Sequence, residues 1–237
     1  MPEKPLGIKA YGHIPHLPGS RMGPSDHHCH EGQRIIATEK ARDRHDRITV
    51  TEKVDGSCVA VAQIDRVLIP LGRAGYPAIS SPYLQHRMFN DWVFEHQDQF
   101  LALLQDSERV VGEWLAQAHG TLYALAHDPF VAFDLIDGGG RLPITTAYDR
   151  FTAAGFVHPH LIHDDGPLAV DTAMAMLKES FHGALDPVEG AVWRVERKGK
   201  FDFLAKWVRP DKVDGKYLPT ISRQPEVWNW RRAGALT

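Results

Sequence analysis

The sequence predicts an α+β fold in which antiparallel sheets carry helices on their outer faces. Three observations lead there. Short runs rich in Val, Ile, Thr and aromatic residues alternate apolar with polar positions, the period of half-buried strands. Neighbouring runs are joined by connections as tight as Asp65-Arg66 and Arg197-Lys-Gly-Lys200, too short for a crossover, so those strands must pair antiparallel. Helical periodicity is confined to a few segments between these runs and does not follow each strand, which argues against repeated βαβ units.

Taken in order, residues 1–34 are rich in Pro, Gly and His, lack sustained periodicity and read as a loop-rich lead-in to the same domain. They contain His16-Leu-Pro-Gly-Ser-Arg21 and the run His27-His28-Cys29-His30-Glu31. The second carries ligand-type side chains. Adjacent residues rarely close on one tetrahedral ion, however, and the spaced pairs of zinc motifs are absent, so a solvated loop is expected there. Residues 35–215 hold the body of the domain. Ile48-Thr-Val-Thr-Glu-Lys53 alternates as a strand and the run stops at Gly56; residues 58–64 and 67–73 form two more strands. From Tyr83 to Gln105 one helix is predicted, with Leu84, Phe89, Trp92, Val93, Phe100, Leu101 and Leu104 on its core face. Strands follow at 109–115 and 129–136, the latter ending in Asp137-Gly-Gly-Gly140, then helices at 145–154 and 168–179. A hairpin of 188–196 with 201–207 completes the domain, and 216–237 is a short tail.

Composition narrows the class. At 237 residues and 43% hydrophobic content the chain can bury a core without staples. No apolar run approaches membrane-spanning length, and the N-terminus lacks the basic-then-apolar layout of a signal peptide. Cys29 and Cys58 offer no disulfide framework, so a cytoplasmic location is expected. A net charge of −3 argues against a protein that coats nucleic acid generally. Basic residues do gather late, at Arg194, Arg197, Lys198, Lys200, Arg209, Lys212 and Lys216, either as a solvated hairpin tip and its surroundings or as a track for an end phosphate.

Polar residues inside apolar strands point to chemistry. Lys53 lies at the end of a strand, bracketed by Glu52 and Asp55 within Lys53-Val-Asp-Gly56. A lysine amine becomes a nucleophile only when neutral, and flanking carboxylates hold its proton, so activation must come from desolvation, other cations or a metal. Taken alone, this tetrapeptide is as well explained by a surface lysine paired with Glu52. Yet Glu113, the pair Phe133-Asp134 (expected on opposite sheet faces), Glu189 and Lys206 interrupt other strands in the same way, which suggests one polar cleft shared between sheets.

Lys53-Val-Asp-Gly56, Gly112-Glu113, Phe130 to Leu135, Glu189-Gly190 and Ala205-Lys206 together resemble, in order and approximate spacing, the motifs of the covalent nucleotidyltransferases, the polynucleotide ligases and mRNA capping enzymes. The set is most similar to the RNA ligase branch, phage nick-sealing ligases included; Arg73 falls where that branch has an arginine, and His16 to Arg21 resembles its lead-in. The resemblance implies an ATP-grasp-like adenylation domain and an ATP-dependent RNA ligase that joins 5′-phosphate and 3′-hydroxyl ends, nicked duplexes among them, through a lysyl-AMP. It implies Lys53 as nucleophile, Lys206 at the α-phosphate, Glu113 at the ribose and Phe133 stacked on adenine. It also implies Arg73 and Arg21 at phosphates, Glu52 among the nucleotide-binding residues, and Glu189 at the hydration shell of Mg²⁺ or Mn²⁺. A DNA ligase or capping-like guanylyltransferase is the second reading, and a non-catalytic nucleotide- or end-binding protein the third. Two departures stand out. Phage-type ligases have a second lysine two residues beyond the position of Lys206, where this chain has Val208; Arg209 follows with the wrong strand parity. The tail is also too short for an oligonucleotide-binding barrel, which leaves room for a protein partner supplying an accessory domain. Its Trp228-Asn-Trp-Arg-Arg232 either stacks on nucleic acid or anchors the tail to the core.

Overall fold

A computed structural model describes residues 3–231. Helix α1 (Glu31–Thr38) precedes the strands β1 (Asp46–Lys53), β2 (Ser57–Ile64) and β3 (Val67–Gly72). Helices α2 (Leu84–Glu95) and α3 (Gln97–Leu103) lead to β4 (Arg109–Trp114), β5 (Phe130–Asp137) and the short β6 (Gly140–Arg141). Then come α4 (Ile144–Ala153), β7 (Leu161–Asp165), α5 (Val170–Met176), the hairpin β8 (Gly190–Arg197) and β9 (Lys200–Val208), and α6 (Pro219–Ser222). The strands form a four-stranded sheet ordered β7-β1-β8-β9 and a five-stranded sheet ordered β3-β2-β4-β5-β6. Every pairing in both is antiparallel. The predicted α+β class holds.

Period-two alternation builds three apolar layers. Ile48 and Val50 of β1, Trp193 and Val195 of β8 and Phe203 of β9 face outward beneath α1 and α5. Val59 and Val61 of β2, Trp114 of β4 and Phe130 of β5 face outward on the other sheet, packed with Phe89, Trp92, Phe100 and Phe151 from α2, α3 and α4. Each such fully buried side chain contributes about 1.5–3 kcal/mol by leaving water. Between the sheets Ala60, Ala62, Val111, Ile136 and Leu204 make a thinner core. The inner positions of the strands also carry the polar cleft residues.

Several boundaries differ from expectation for local reasons. The single helix predicted from Tyr83 to Gln105 is two, because the His96 ring and backbone both engage the Trp92 carbonyl and close α2 there. α5 is shorter than the predicted 168–179 helix. β7 was not predicted at all: it is an edge strand of mostly exposed residues, Leu-Ile-His-Asp-Asp, without an apolar alternation to read. α1 begins inside the segment expected to be loop. In that segment the backbone of residues 15–17 also lies along β9: Leu17 N–H donates to the Lys206 carbonyl and Lys206 N–H to the Pro15 carbonyl, both within 2.9 Å. His16 accepts from Cys29 N–H and donates to the His27 carbonyl, so the lead-in covers an otherwise open sheet edge. The Asp65-Arg66 turn is as predicted, both residues sitting at positive φ, as the hairpin twist requires.

Phe133 and Asp134 do not face opposite sides. A bulge pairs Val111 with Asp134 and Gly112 with Ala132, leaving Phe133 as the extra residue. Ala132 and Leu135 therefore both enter the outer core, and Phe133 and Asp134 both turn to the inner face.

The tail docks on the domain. Asn229 spans Tyr123 N–H and the Leu115 carbonyl, and Trp230 packs edge-on against Trp114 at 5.8 Å. The anchoring alternative is the one realised for Trp230; Arg232 lies outside the described residues.

Candidate active site

A cavity of about 170 Å³ opens between the inner faces of the two sheets. β1 brings Lys53 to it, β4 brings Glu113, the β5 bulge brings Phe133, and β9 brings Lys206, while Arg73 borders it just past β3. A wider groove of about 630 Å³ adjoins it, sharing Cys58, Arg73 and Glu113 and continuing past Ser57, Tyr83 and His86.

Lys53 Nζ lies 2.6 Å from Glu189 Oε2. Its partner is thus a residue immediately before β8, not the neighbouring Glu52. Strand parity turns Glu52 away from Lys53, and its carboxylate accepts the Ser180 hydroxyl and the Phe181 N–H, fixing that loop to β1. Glu52 nevertheless lines the cavity, with its carboxylate already engaged by that loop. Burial opposes the charge of Lys53, but Glu189, Glu113 and Asp55 outweigh it and raise its pKa above the usual lysine range. In this arrangement Lys53 is an ammonium. Glu113 responds to the same crowding: burial, then repulsion from Glu189 and Asp55, pushes it up to about 7 despite the nearby Lys53 cation.

Glu113 also accepts the Gly56 N–H at 3.0 Å, which ties the turn after Lys53 to β4. Gly56 is required there by close approach, since a Cβ would lie 2.4 Å from the Trp114 carbonyl oxygen. Asp55 shapes the same turn by accepting Gly120 N–H at 2.8 Å. Asp134 is structural: Tyr11, Arg141 and Arg194 all bond its buried carboxylate. Tyr11 in turn meets the edge of Phe133 at 5.2 Å and orients that ring in the cavity.

Lys206 is held more loosely, 3.9 Å from Asp26, and its pKa is lowered by burial and by the Lys53 cation. Arg73 donates to the Gly12 carbonyl at 2.9 Å at the cavity edge. Arg21 is not brought to the cavity; it pairs with Asp214 at 3.0 Å on the exposed side. Arg209 pairs with Asp211 and Val208 is buried, so neither supplies the second lysine of the phage-type motif. Two of the late basic residues are buried: Arg194 on Asp134 and Glu196, and Lys212, which is only 3% exposed and touches both Glu189 and Asp55. The only sequence signal for Lys212 was position, a few residues past the last motif.

The carboxylates suit a hard divalent cation that keeps most of its water, with Glu189 the nearest oxygen donor to the nucleophile. Among the described residues no preformed cluster of His, Cys, Asp and Glu could hold a metal alone, the His27–Glu31 run included. Cys29 and Cys58 are free thiols, and among the described residues no helix is long and apolar enough to cross a membrane.

Two antiparallel sheets closing on a lysine at the end of one strand, with carboxylates and a second lysine facing it, define the nucleotidyltransferase domain of the polynucleotide-ligase type. The chain matches the RNA ligase family over residues 46–208 and belongs to that family. Solved structures of the Naegleria gruberi RNA ligase share the fold. A variant with ATP and Mn superposes with a TM-score of 0.52 at 16% identity, covering 82% of this chain and 58% of that one. An apo variant gives 0.51 at 16% identity, covering 76% and 53%, and a variant with AMP and Mn gives 0.50 at 16%, covering 87% and 61%. The chain thus spans a little over half the length of these structures. No curated protein matches it.

Proposed function

We propose that this protein is an ATP-dependent RNA ligase that works through a lysyl-AMP on Lys53. The observation that carries the reading is Lys53, held by Glu189 at 2.6 Å, sharing one cavity with Glu113, Phe133 and Lys206. In the proposed first step the Lys53 amine attacks the α-phosphorus of ATP. The N–P bond forms, the P–O bond to pyrophosphate breaks, and Glu189, 2.6 Å away, is placed to receive the amine proton. Lys206 stabilises charge growing on the α-phosphate, Phe133 stacks on the base and Glu113 accepts from the ribose. AMP then passes to a 5′-phosphate end, and a 3′-hydroxyl displaces it to join the strands.

Lys53 must lose its proton first, and its carboxylate neighbours oppose that. Lys206 favours the loss as a nearby cation, and Mg²⁺ or Mn²⁺ at Glu189 would supply charge neutralisation for carboxylate and phosphates alike. The Naegleria relatives that were solved with ATP and Mn support this choice of nucleotide and metal class. Arg73, between the cavity and the wider groove, is assigned to the phosphate of nucleotide or RNA end.

The test is transfer of label from α-phosphate-labelled ATP, GTP and NAD⁺ to denatured protein with Mg²⁺. Wild type should take label from ATP, and Lys53→Ala should take none. Preference for GTP would replace the reading with capping, and bound nucleotide without covalent label would replace it with a binding protein.

A further inference from the structure

Among the described residues, two buried cations near the site belong to no motif: Arg194, which is spent on Asp134 and Glu196, and Lys212, which lies behind the cavity wall and holds Glu189. Lys212 lies in the turn after β9, where its N–H donates to the Arg209 carbonyl at 3.2 Å. Arg209 N–H in turn donates to the Glu189 carbonyl at 3.0 Å, so the turn is stitched to the backbone of Glu189 itself. The ammonium then reaches inward, bonding Glu189 Oε1 and lying 2.9 Å from Asp55 Oδ1. Glu189 Oε2 is left for Lys53. One carboxylate is therefore held between two lysines, one oxygen each.

The packing leaves little room for another arrangement. A Cβ at Gly120 would stand 2.8 Å from Lys212 Cε and 2.9 Å from Asp55 Oδ2, so this glycine is what lets the lysine stem pass. A 3% exposed ammonium has little water to fall back on, and its close contacts are these two carboxylates, with Asp214 farther off at 3.7 Å. Asp55 is clamped on both sides, by Lys212 and by Gly120 N–H.

We propose that Lys212 is a positioning residue for lysine adenylylation: by gripping one oxygen of Glu189 and anchoring to Asp55, it aims the other oxygen at Lys53. The inference rests on the adenylylation reading above.

The experiment is single-turnover label transfer from ATP, with thermal melting and nucleotide binding to count folded molecules, for wild type, Lys212→Met and Lys212→Arg. Lys212→Met keeps the stem and removes the charge. Per folded molecule it should slow lysyl-AMP formation by roughly 10–100-fold, the usual cost of losing a partner that orients a working side chain. The KM for ATP should stay near wild type, because Lys212 does not face the cavity as a nucleotide contact. Lys212→Arg, which keeps a cation but not its reach, should fall between the two. Wild-type rates per folded molecule in Lys212→Met would overturn the proposal, as would a loss expressed in KM alone. Should Lys212→Met fail to fold, Lys212→Arg decides: slowed turnover at unchanged KM supports the role, and wild-type turnover overturns it. A wild type that takes no label at all would instead overturn the adenylylation reading, and this inference with it.

Discussion

Phe133 shows how much one extra residue in a strand can matter. Its type and place in the strand were visible, but the bulge that turns it inward beside Asp134 was not, because alternation assigns successive residues to opposite faces. The insertion puts a ring and a buried ionic knot on the same wall, and the knot, through Tyr11, holds the ring edge-on at 5.2 Å. Base stacking of this kind is worth about 1–3 kcal/mol by truncation. Phe133→Ala should therefore raise the KM for ATP by roughly 5–150-fold, with a smaller loss in Phe133→Tyr. Steady-state adenylylation over a range of ATP concentrations reads this out. A KM unchanged in Phe133→Ala would remove the ring from the nucleotide site. At the same scale, the ion-pair partner of Lys53 was not legible from the chain alone. Glu52 and Asp55 are adjacent in sequence, but parity sends one to a loop and the turn sends the other to Lys212, leaving Glu189 as the partner.

At the scale of elements, the hairpins were the legible part. β2 with β3 and β8 with β9 are joined by tight turns, so local sequence sets their pairing, whereas β1 with β8 joins segments far apart that no local pattern connects. That non-local pairing makes the site, since it brings Lys53 opposite Gly190 and sets Glu189 beside the amine. Gly190 is the element's weak point. A Cβ there would lie 1.9 Å from the Trp207 carbonyl oxygen, so β8 and β9 could not keep their spacing. Gly190→Ala should cost about 1–3 kcal/mol, as overpacking does, and should displace Glu189 from Lys53. Two readouts are expected to move together: a lower denaturant midpoint and slower label transfer per folded molecule. A variant as stable as wild type would mean that the strands part at no cost. The edge elements, β7 and the lead-in along β9, escaped sequence reading for the opposite reason: exposure leaves an edge with little pattern.

For the molecule as a whole, a net charge of −3 conceals buried charges and buried neutral groups whose titrations oppose each other. Burial, helped by the Lys206 cation, lowers His16 to about 4, and burial with His127 lowers His182 to about 4. A histidine unfolds to a value near 6.5, so between about 6.5 and 4 the unfolded chain binds more protons. Stability from these two groups is full above that window and is lost as pH falls through it. Glu113 has the other sign. Its folded value of about 7 stands above the usual carboxylate range, so the unfolded chain is the readier to lose that proton. Its contribution is full below about 4.5 and is lost as pH rises through about 7. Denaturant midpoints measured from pH 7.5 down to 4.5 should separate them. His16→Gln should lose less stability than wild type on acidification, and Glu113→Gln, which keeps an acceptor for Gly56 N–H, should lose less on going from acid to neutral. A wild-type slope in His16→Gln would mean that the ring is not buried neutral under the lead-in. A wild-type slope in Glu113→Gln would mean that the cleft is wetter than its packing indicates. The same cleft that makes Glu113 costly to ionise also has to release the Lys53 proton, so the Glu113 result bears directly on how dry the nucleophile's surroundings are.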